Sequence, residues 1–380
     1  MKPIGIYIHI PFCVKKCAYC DFVSYPLEKG HVQAYFDALI GIELTDVCLS
    51  LTDTRRVVET IYIGGGTPTA VPGNFMTQLL IDCLKKMPVS DNVEVTVEMN
   101  PGTVDPAYLA ALIAAGANRL SIGVQSLNAR TLKVLGRIHS PDEAKSCLEA
   151  ARAAGCKNIN LDLIYGTPGE TLDELITSLD EAVSLAPEHI SVYGLSIPEG
   201  TPMHRSLEAG RLSAITDDVQ REMYIAIRER LKTAGYTQYE ISSWARPGFE
   251  CGHNLNYWRC DEYLGLGCAA SSYLDGVRRK NVDDHNEYVR QLQEGKSPIV
   301  EQETLTQKQR IDEAIMLGLR MRDGIFLDRL VEREGYDLAS ERAGQIEKLL
   351  NSGLIEIEGG WLRLTDEGVL VADEVIVWLA

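Results

Sequence analysis

Residues Gly5–Phe22 read GIYIHIPFCVKKCAYCDF. The first six, GIYIHI, are short, apolar and rich in β-branched side chains, the pattern of a strand buried on both faces. Pro11 ends that run, and Cys13, Cys17 and Cys20 follow on the loop after it. What such a strand belongs to, and what three thiols at its end could hold, sets the reading of the rest of the chain.

The same kind of strand recurs. TIYIGG (from Thr60), EVTVEM (Glu94), RLSIGVQ (Arg119), NINLDLIYG (Asn158) and HISVYGLSI (His189) are spaced by helix-like segments. These are AYFDALIGIELTDVCLSL, NFMTQLLIDCLKKM, PAYLAALIAAG, PDEAKSCLEAARAAG and TLDELITSLDEAVSLA. Asp105-Pro106 and Ser140-Pro141 have the form of an N-cap with a first-turn proline. Gly116 and Gly155 fall where a helix should stop. Six strand–helix alternations predict an α/β fold with a parallel sheet and crossover helices. An open doubly wound sheet and a partial barrel both fit the periodicity. In either, the chemistry gathers at the carboxyl ends of the strands. The cysteines follow strand one, GGGTPT (Gly64–Thr69) ends strand two, and EMNP ends strand three.

Beyond about Pro198 the alternation fades. A helix is expected from Asp217 to Gly235, then the loop-rich ISSWARPGFECGHNLNYWRCDEYLGLGCAASSY. From about Leu305 three helices lead to LIEIEGGWLRLTDEG, where Gly359-Gly360 suits a hairpin turn. Three helices and a two-stranded wing predict a C-terminal helical, winged-helix-like module. The expected division is a core of residues 1–215, a linker and motif region of 216–300, and a C-terminal domain of 301–380.

Composition bounds the function. The chain has 380 residues, 45% apolar and 24% charged, a soluble globular composition with room for a large core. No apolar run reaches the ~18 residues of a membrane span. The N-terminal stretch has no leader-like pattern, so a cytoplasmic location is expected. A formal net charge of −17 argues against nucleic acid and anionic membrane as partners, and against DNA binding by the winged module. Cys48, Cys83, Cys147 and Cys156 lie among apolar neighbours and are expected to be small buried hydrophobes.

The N-terminal thiols differ. A structural zinc site wants four ligands, often as two CxxC pairs, and no second pair follows here. A disulfide would strand the third cysteine. Three thiolates with one position open suit a [4Fe–4S] cluster whose fourth iron takes an exchangeable ligand. The C-x3-C-x2-C spacing, with Tyr19 before the last cysteine, resembles that of the radical S-adenosylmethionine superfamily. The resemblance implies a partial (β/α)6 TIM-like barrel. It also implies that the open iron is chelated by the amino and carboxyl groups of S-adenosylmethionine, whose reductive cleavage gives a 5′-deoxyadenosyl radical.

Within that superfamily, YIHIPFC, GGGTPT, EMNP, IGVQS with Arg137 following, and NLDLIYG match in order the pattern of the oxygen-independent coproporphyrinogen oxidase family. By that resemblance Tyr7, Tyr19, Gly65, Gly66, Thr67, Glu98, Gln125, Arg137 and Asp162 would contact S-adenosylmethionine, and in the family some of these positions serve a second molecule of it. Asp162 is also, on its own chemistry, a carboxylate at a strand end able to accept from a ribose hydroxyl; a cap or salt bridge is its structural alternative.

Two departures matter. The oxidases carry a fourth cysteine two places after the third, where this chain has Phe22, and they have an N-terminal extension absent here. HNLNYW (His253–Trp258) resembles instead the HNxxYW haem-binding motif of the bacterial haem chaperones, relatives without the fourth cysteine. Alone, the hexapeptide reads as an aromatic corner capped by Asn. In this context His253, Asn254, Tyr257 and Trp258 are expected at a haem site, imidazole suiting iron and aromatics the porphyrin faces. Cys251, Cys260 and Cys268 lie close by; core packing is expected, a sulfur contact to haem being the alternative. The chaperones read GLGAGAHS or similar downstream, where this chain has GLGCAASS with Ser271 in the place of the His. The resemblance thus implies haem as cargo, a haem-acceptor protein such as a respiratory one, and an electron donor of the flavodoxin or ferredoxin kind. Coproporphyrinogen III dehydrogenation and a radical methyltransferase activity are the rival functions, with a winged-helix regulator as a third.

Overall fold

The computed structural model describes residues 2–380. Six strands, β1 (Lys2–Ile10), β2 (Arg56–Gly65), β3 (Val89–Met99), β4 (Arg119–Gln125), β5 (Ile159–Tyr165) and β6 (His189–Gly194), lie side by side in that order, every neighbouring pair parallel. Their side chains are buried on both faces, as in β4, where every residue but Gln125 is buried. Helices Gly73–Lys86, Pro106–Ala114, Pro141–Ala153 and Leu172–Ser184 cross between consecutive strands and cover the outer face. Asp105 and Ser140 cap their helices as expected, Ser140 in a full capping box with Glu143. The six strands form an open, partial barrel.

The sheet is larger than six strands. Its full order has twelve, because Tyr263–Leu266 pairs parallel with β1 and carries Ser271–Leu274, Val277–Asn281 and Ile299–Thr304 beyond it. At the other edge Ser243–Ala245 runs antiparallel to β6, with Thr237–Glu240 outside it. The stretch expected to be loop-rich therefore supplies strands at both edges and the short helix Gly252–Trp258. Each of these pieces is only three to seven residues long, so none carries a periodicity that a pattern could register.

Helices Gln307–Gly318, Leu327–Glu334 and Ala343–Asn351 build the C-terminal module with a small antiparallel sheet, and beyond the three helices expected it has the short Leu338–Glu341 and, after the wing, Ala372–Leu379. Gly359 and Gly360, at φ 58° and 83°, make the tight turn between Ile355–Glu358 and Trp361–Leu364. The wing has a third strand, Ile325–Phe326, paired with Trp361 and Leu362, where two were expected. No described helix is long and apolar enough to cross a membrane. Cys48, Cys83, Cys147 and Cys156 are buried in the core.

Candidate functional site

The cysteine loop is fastened at both ends. Phe12–Cys13 pairs with Tyr25–Pro26, and the N–H of Leu27 donates to the carbonyl of Cys13 at 3.2 Å. In the middle, Ala18 and Tyr19 pack against a small separate apolar cluster of Leu135, Ile164 and Met203. The N–H of Ala18 donates to Leu135 O, and its carbonyl accepts from Met203 N–H. The loop thus holds Cys13, Cys17 and Cys20 half-buried at the mouth of one cavity. All ten cysteines of the chain are free thiols.

GGGTPT forms the wall facing the thiols. The N–H of Gly66 donates to Ile10 O at 2.9 Å and that of Thr67 to Phe12 O at 2.8 Å, so the end of β2 is bolted to the start of the cysteine loop. A Cβ on Gly66 would stand 2.8 Å from Phe12 O and 3.1 Å from Cys13 Sγ. Gly65 has φ 111°, and a Cβ there would run into the His9 ring. Glycine is required at both for this approach of backbone to sulfur.

The cavity holds about 1420 Å³, its open mouth included, and lies over the carboxyl ends of the strands. Tyr19, Gly65, Gly66, Thr67, Glu98, Gln125, Arg137 and Asp162 all line it with the three cysteines. Tyr7 does not. It faces the neighbouring cavity, its hydroxyl 3.0 Å from His9 Nδ1 and its ring stacked on Tyr62 at 6.3 Å. Asp21 and Phe22 border both cavities.

Glu98 accepts from the Tyr62 hydroxyl at 2.7 Å and from the N–H of Gly65 at 3.2 Å. Burial pushes its carboxyl up to about 7, against the pull of these two donors. Asp162 sits mid-strand in β5, with no helix cap or salt bridge among the described residues; Ser121 Oγ and Asn160 Nδ2 each donate to it at 2.8 Å. Burial raises its carboxyl as well. Two carboxylates at the floor of one cavity suit a ligand with a positive charge and hydroxyl donors.

Gln125 ends β4 at φ 64°, at a break in register with β5. That left-handed conformation is strained for a residue with a Cβ and turns the amide into the cavity. Arg137 donates to Cys17 Sγ at 3.3 Å and to Gly123 O at 2.7 Å, tying the cysteine loop to the end of β4. Sequence reasoning did not single out Tyr62, Asn100 or Tyr193, which share the lining. Asn100 donates to Thr67 Oγ1 at 2.8 Å and accepts from Arg137. It lies within EMNP, and Tyr62 shares a face of β2 with Gly64 by simple alternation, so both signals were present.

HNLNYW is the helix Gly252–Trp258. The carboxylate of Glu94, on β3, accepts from the first N–H groups of this helix, Gly252 at 3.0 Å and His253 at 3.1 Å. His253 is turned inward and fully buried. Its Nδ1 is 2.8 Å from Thr60 Oγ1 and its Nε2 is 2.9 Å from the Tyr257 hydroxyl. Burial, with the nearby Arg119 guanidinium, drops the imidazole to about 3. The ring is therefore neutral with both nitrogens engaged, and neither can ligate an iron without giving up its hydrogen bond to Thr60 or Tyr257. Asn254 is half-buried. Tyr257 lines the cavity shared by Tyr7 and Ser271, and Trp258 lines a separate cleft toward the C-terminal module. Cys251 and Cys268 are packed in the core, while Cys260 is half-buried on that cleft.

A three-thiol loop over the strand ends of an open β/α barrel defines a radical SAM protein, and the family model of that superfamily matches residues 7–182. The HemN C-terminal domain matches residues 305–371. The chain belongs to the family of the heme chaperone HemW. It is 38% identical to the heme chaperone HemW of Mycobacterium tuberculosis over 376 residues, 99% of this chain and 94% of the relative. The Bacillus subtilis heme chaperone HemW is 35% identical over 371 residues, 97% of each. Among solved structures, coproporphyrinogen III oxidase (HemN) from Escherichia coli superposes with a TM-score of 0.84 at 22% identity, covering 100% of this chain and 90% of that one. That likeness establishes the shared fold.

Proposed function

We propose that this protein binds haem and passes it to an acceptor protein in the cytoplasm, while carrying a [4Fe–4S] cluster and S-adenosylmethionine. The single observation that supports this most is identity to heme chaperones along nearly the whole chain, joined to a cysteine loop with Phe22 in place of a fourth thiol. Cys13, Cys17 and Cys20 are the cluster ligands in this reading. The donor set fits the group: three thiols on one loop, with the wall opposite stripped of side chains at Gly65 and Gly66. When bound, the cluster supplies one electron to a sulfonium cosubstrate.

Around that group the chain's own residues divide the work. Glu98 takes the ammonium of the cosubstrate. Asp162 accepts from its ribose hydroxyls, and Gln125 and Arg137 orient it against the cysteine loop. Tyr19 closes the mouth, and Tyr7 acts from behind through Tyr62. An electron donor of the flavodoxin or ferredoxin kind would supply that electron. The parts of HNLNYW offered to haem without rearrangement are Tyr257 and Trp258.

Anaerobic titration of the cluster-loaded protein with haemin, followed by mixing with a haem-free acceptor and, in parallel, with coproporphyrinogen III, tests the function. Haem binding and its movement to the acceptor, without protoporphyrinogen formation, is the expected result. Sustained protoporphyrinogen formation overturns it.

A further inference from the structure

The helix Gly252–Trp258 stands between two hollows, and they differ in chemistry. Tyr257 borders the one beside the cysteine loop. Trp258 borders a cleft of about 800 Å³ of open space between the helix end and the C-terminal module, which shares no lining residue with the cavity of the three cysteines.

The walls of this cleft carry the aromatic rings of Trp258, Tyr273, Phe326 and Trp361. Arg320 lies over the Trp258 ring, 5.0 Å from its centroid. The indole N–H of Trp258 is buried without a hydrogen-bond partner among the described residues. Across the cleft Phe326 and Trp361 pack with their centroids 5.0 Å apart on the wing. Two sulfur atoms, the Cys260 thiol and the Met321 thioether, are also on the wall. Cys260 follows the helix at φ 54°, a left-handed backbone held by a hydrogen bond from its N–H to Tyr257 O.

Its rim carries four arginines, Arg259, Arg310, Arg329 and Arg333, against three acids, Glu313, Asp323 and Glu334, on a chain whose net charge is −17. Glu313 is taken by Arg278 at 2.7 Å, and Glu334 by Arg310 at 2.9 Å. Arg329 and Arg333 share one carboxylate, Asp261, at 3.0 Å and 3.8 Å. Arg259 and Asp323 complete the charged lining and leave it net positive. Arg333 also donates to the carbonyls of Arg259 at 3.1 Å and Cys260 at 3.0 Å, so Arg329, held to Asp261 through one nitrogen, is the freer cation. A guanidinium at the edge of an aromatic slot suits a planar apolar ligand with carboxylates on one side.

We propose that this cleft, apart from the cysteine cavity, seats the haem: the ring between Trp258 and the Phe326–Trp361 pair, the propionates on Arg329 and Arg333, and the iron beside Cys260. The proposal rests on the haem-carrier reading and locates its cargo. Ferric ligation by Cys260 forms one iron–sulfur bond and releases the thiol proton to solvent, with no change of oxidation state. The seat lies between the barrel and the C-terminal module.

The test titrates the full-length, cluster-reconstituted protein with haemin and, separately, with metal-free protoporphyrin. Arg329→Glu should weaken both at least about tenfold, since an ionic hydrogen bond is worth roughly 1.5–3 kcal/mol. Ala314→Trp, which fills the cleft, should block both while the iron–sulfur absorbance stays at its wild-type level. Cys260→Ala should shift the haemin Soret band and leave protoporphyrin binding unchanged. Arg329 is half-exposed; because Arg329→Glu sets a carboxylate beside Asp261, Arg329→Gln, which removes the cation without adding a charge, is titrated alongside and should weaken both ligands in the same direction. Should wild-type protein bind haemin while Arg329→Glu and Ala314→Trp bind it as tightly, the cleft is refuted and the haem-carrier reading stands. Absence of haemin binding by the wild type refutes both.

Discussion

The guanidinium of Arg137 donates to the sulfur of Cys17 at 3.3 Å across 120 residues of sequence. The same side chain reaches Gly123 O at 2.7 Å and Asn100, so one cation joins the cysteine loop to the ends of β3 and β4. A fixed positive charge beside a thiolate stabilises it as a ligand.

Arg137→Met removes that link. Affinity for S-adenosylmethionine should fall by about tenfold or more, with loss of iron on gel filtration, measured by equilibrium dialysis and iron analysis. Arg137→Lys should recover part of the charge effect but not the three-way contact. Wild-type affinity in Arg137→Met would remove the residue from the site.

Gly66→Ala places a methyl group against Phe12 O and Cys13 Sγ. Backbone has to move, at a cost of about 1–3 kcal/mol, and the thiol moves with it. Anaerobic reconstitution should give a clearly reduced ~400 nm iron–sulfur absorbance with the thermal midpoint lowered only a few degrees. Full cluster loading in this variant would contradict the tight approach of the two segments.

Glu98 titrates at about 7 in the free protein, raised by burial. Below that pH the carboxyl is protonated and cannot pair with an ammonium; above it the carboxylate is present. Binding of S-adenosylmethionine should therefore tighten as pH rises toward 7, up to about tenfold per unit, and level off above. Glu98→Gln should bind weakly and without this slope. A flat wild-type profile between pH 5.5 and 8 would separate Glu98 from the ligand.

His253→Ala deletes a buried ring, removes the partner of the Tyr257 hydroxyl and leaves the Thr60 hydroxyl with Asn256 alone among the described residues. Loss of about 2–4 kcal/mol in chemical denaturation is expected. The Soret spectrum of bound haem should stay as in the wild type. A change from an imidazole-ligated to an unligated spectrum would show that the ring gives up its Thr60 or Tyr257 partner to reach the iron.

How far the sequence carried these results depends on local order. The six core strands were legible because GIYIHI and its counterparts are buried on both faces and flanked by capped helices such as Pro141–Ala153. The edge strand Ile299–Thr304 was not, since all its side chains are exposed and it has no apolar signature. Ala129–Leu135, seven residues long, is too short for a 3.6-residue period to register. At the site, the cysteines and glycines were legible from spacing. The direction of His253 was not: it follows from the helical phase of Gly252–Trp258, which puts His253 and Tyr257 on one inner face and Trp258 on another, and that helix owes its place to Glu94.

Every assignment at the strand ends depends on an iron–sulfur centre with one iron left for an exchangeable ligand. The most direct measurement is electron paramagnetic resonance of the anaerobically reconstituted, dithionite-reduced protein before and after addition of S-adenosylmethionine. The predicted result is a reduced [4Fe–4S] signal that shifts on addition and is absent when Cys13, Cys17 and Cys20 are all replaced by Ala. A signal that S-adenosylmethionine leaves unmoved, or one that survives the triple replacement, contradicts it.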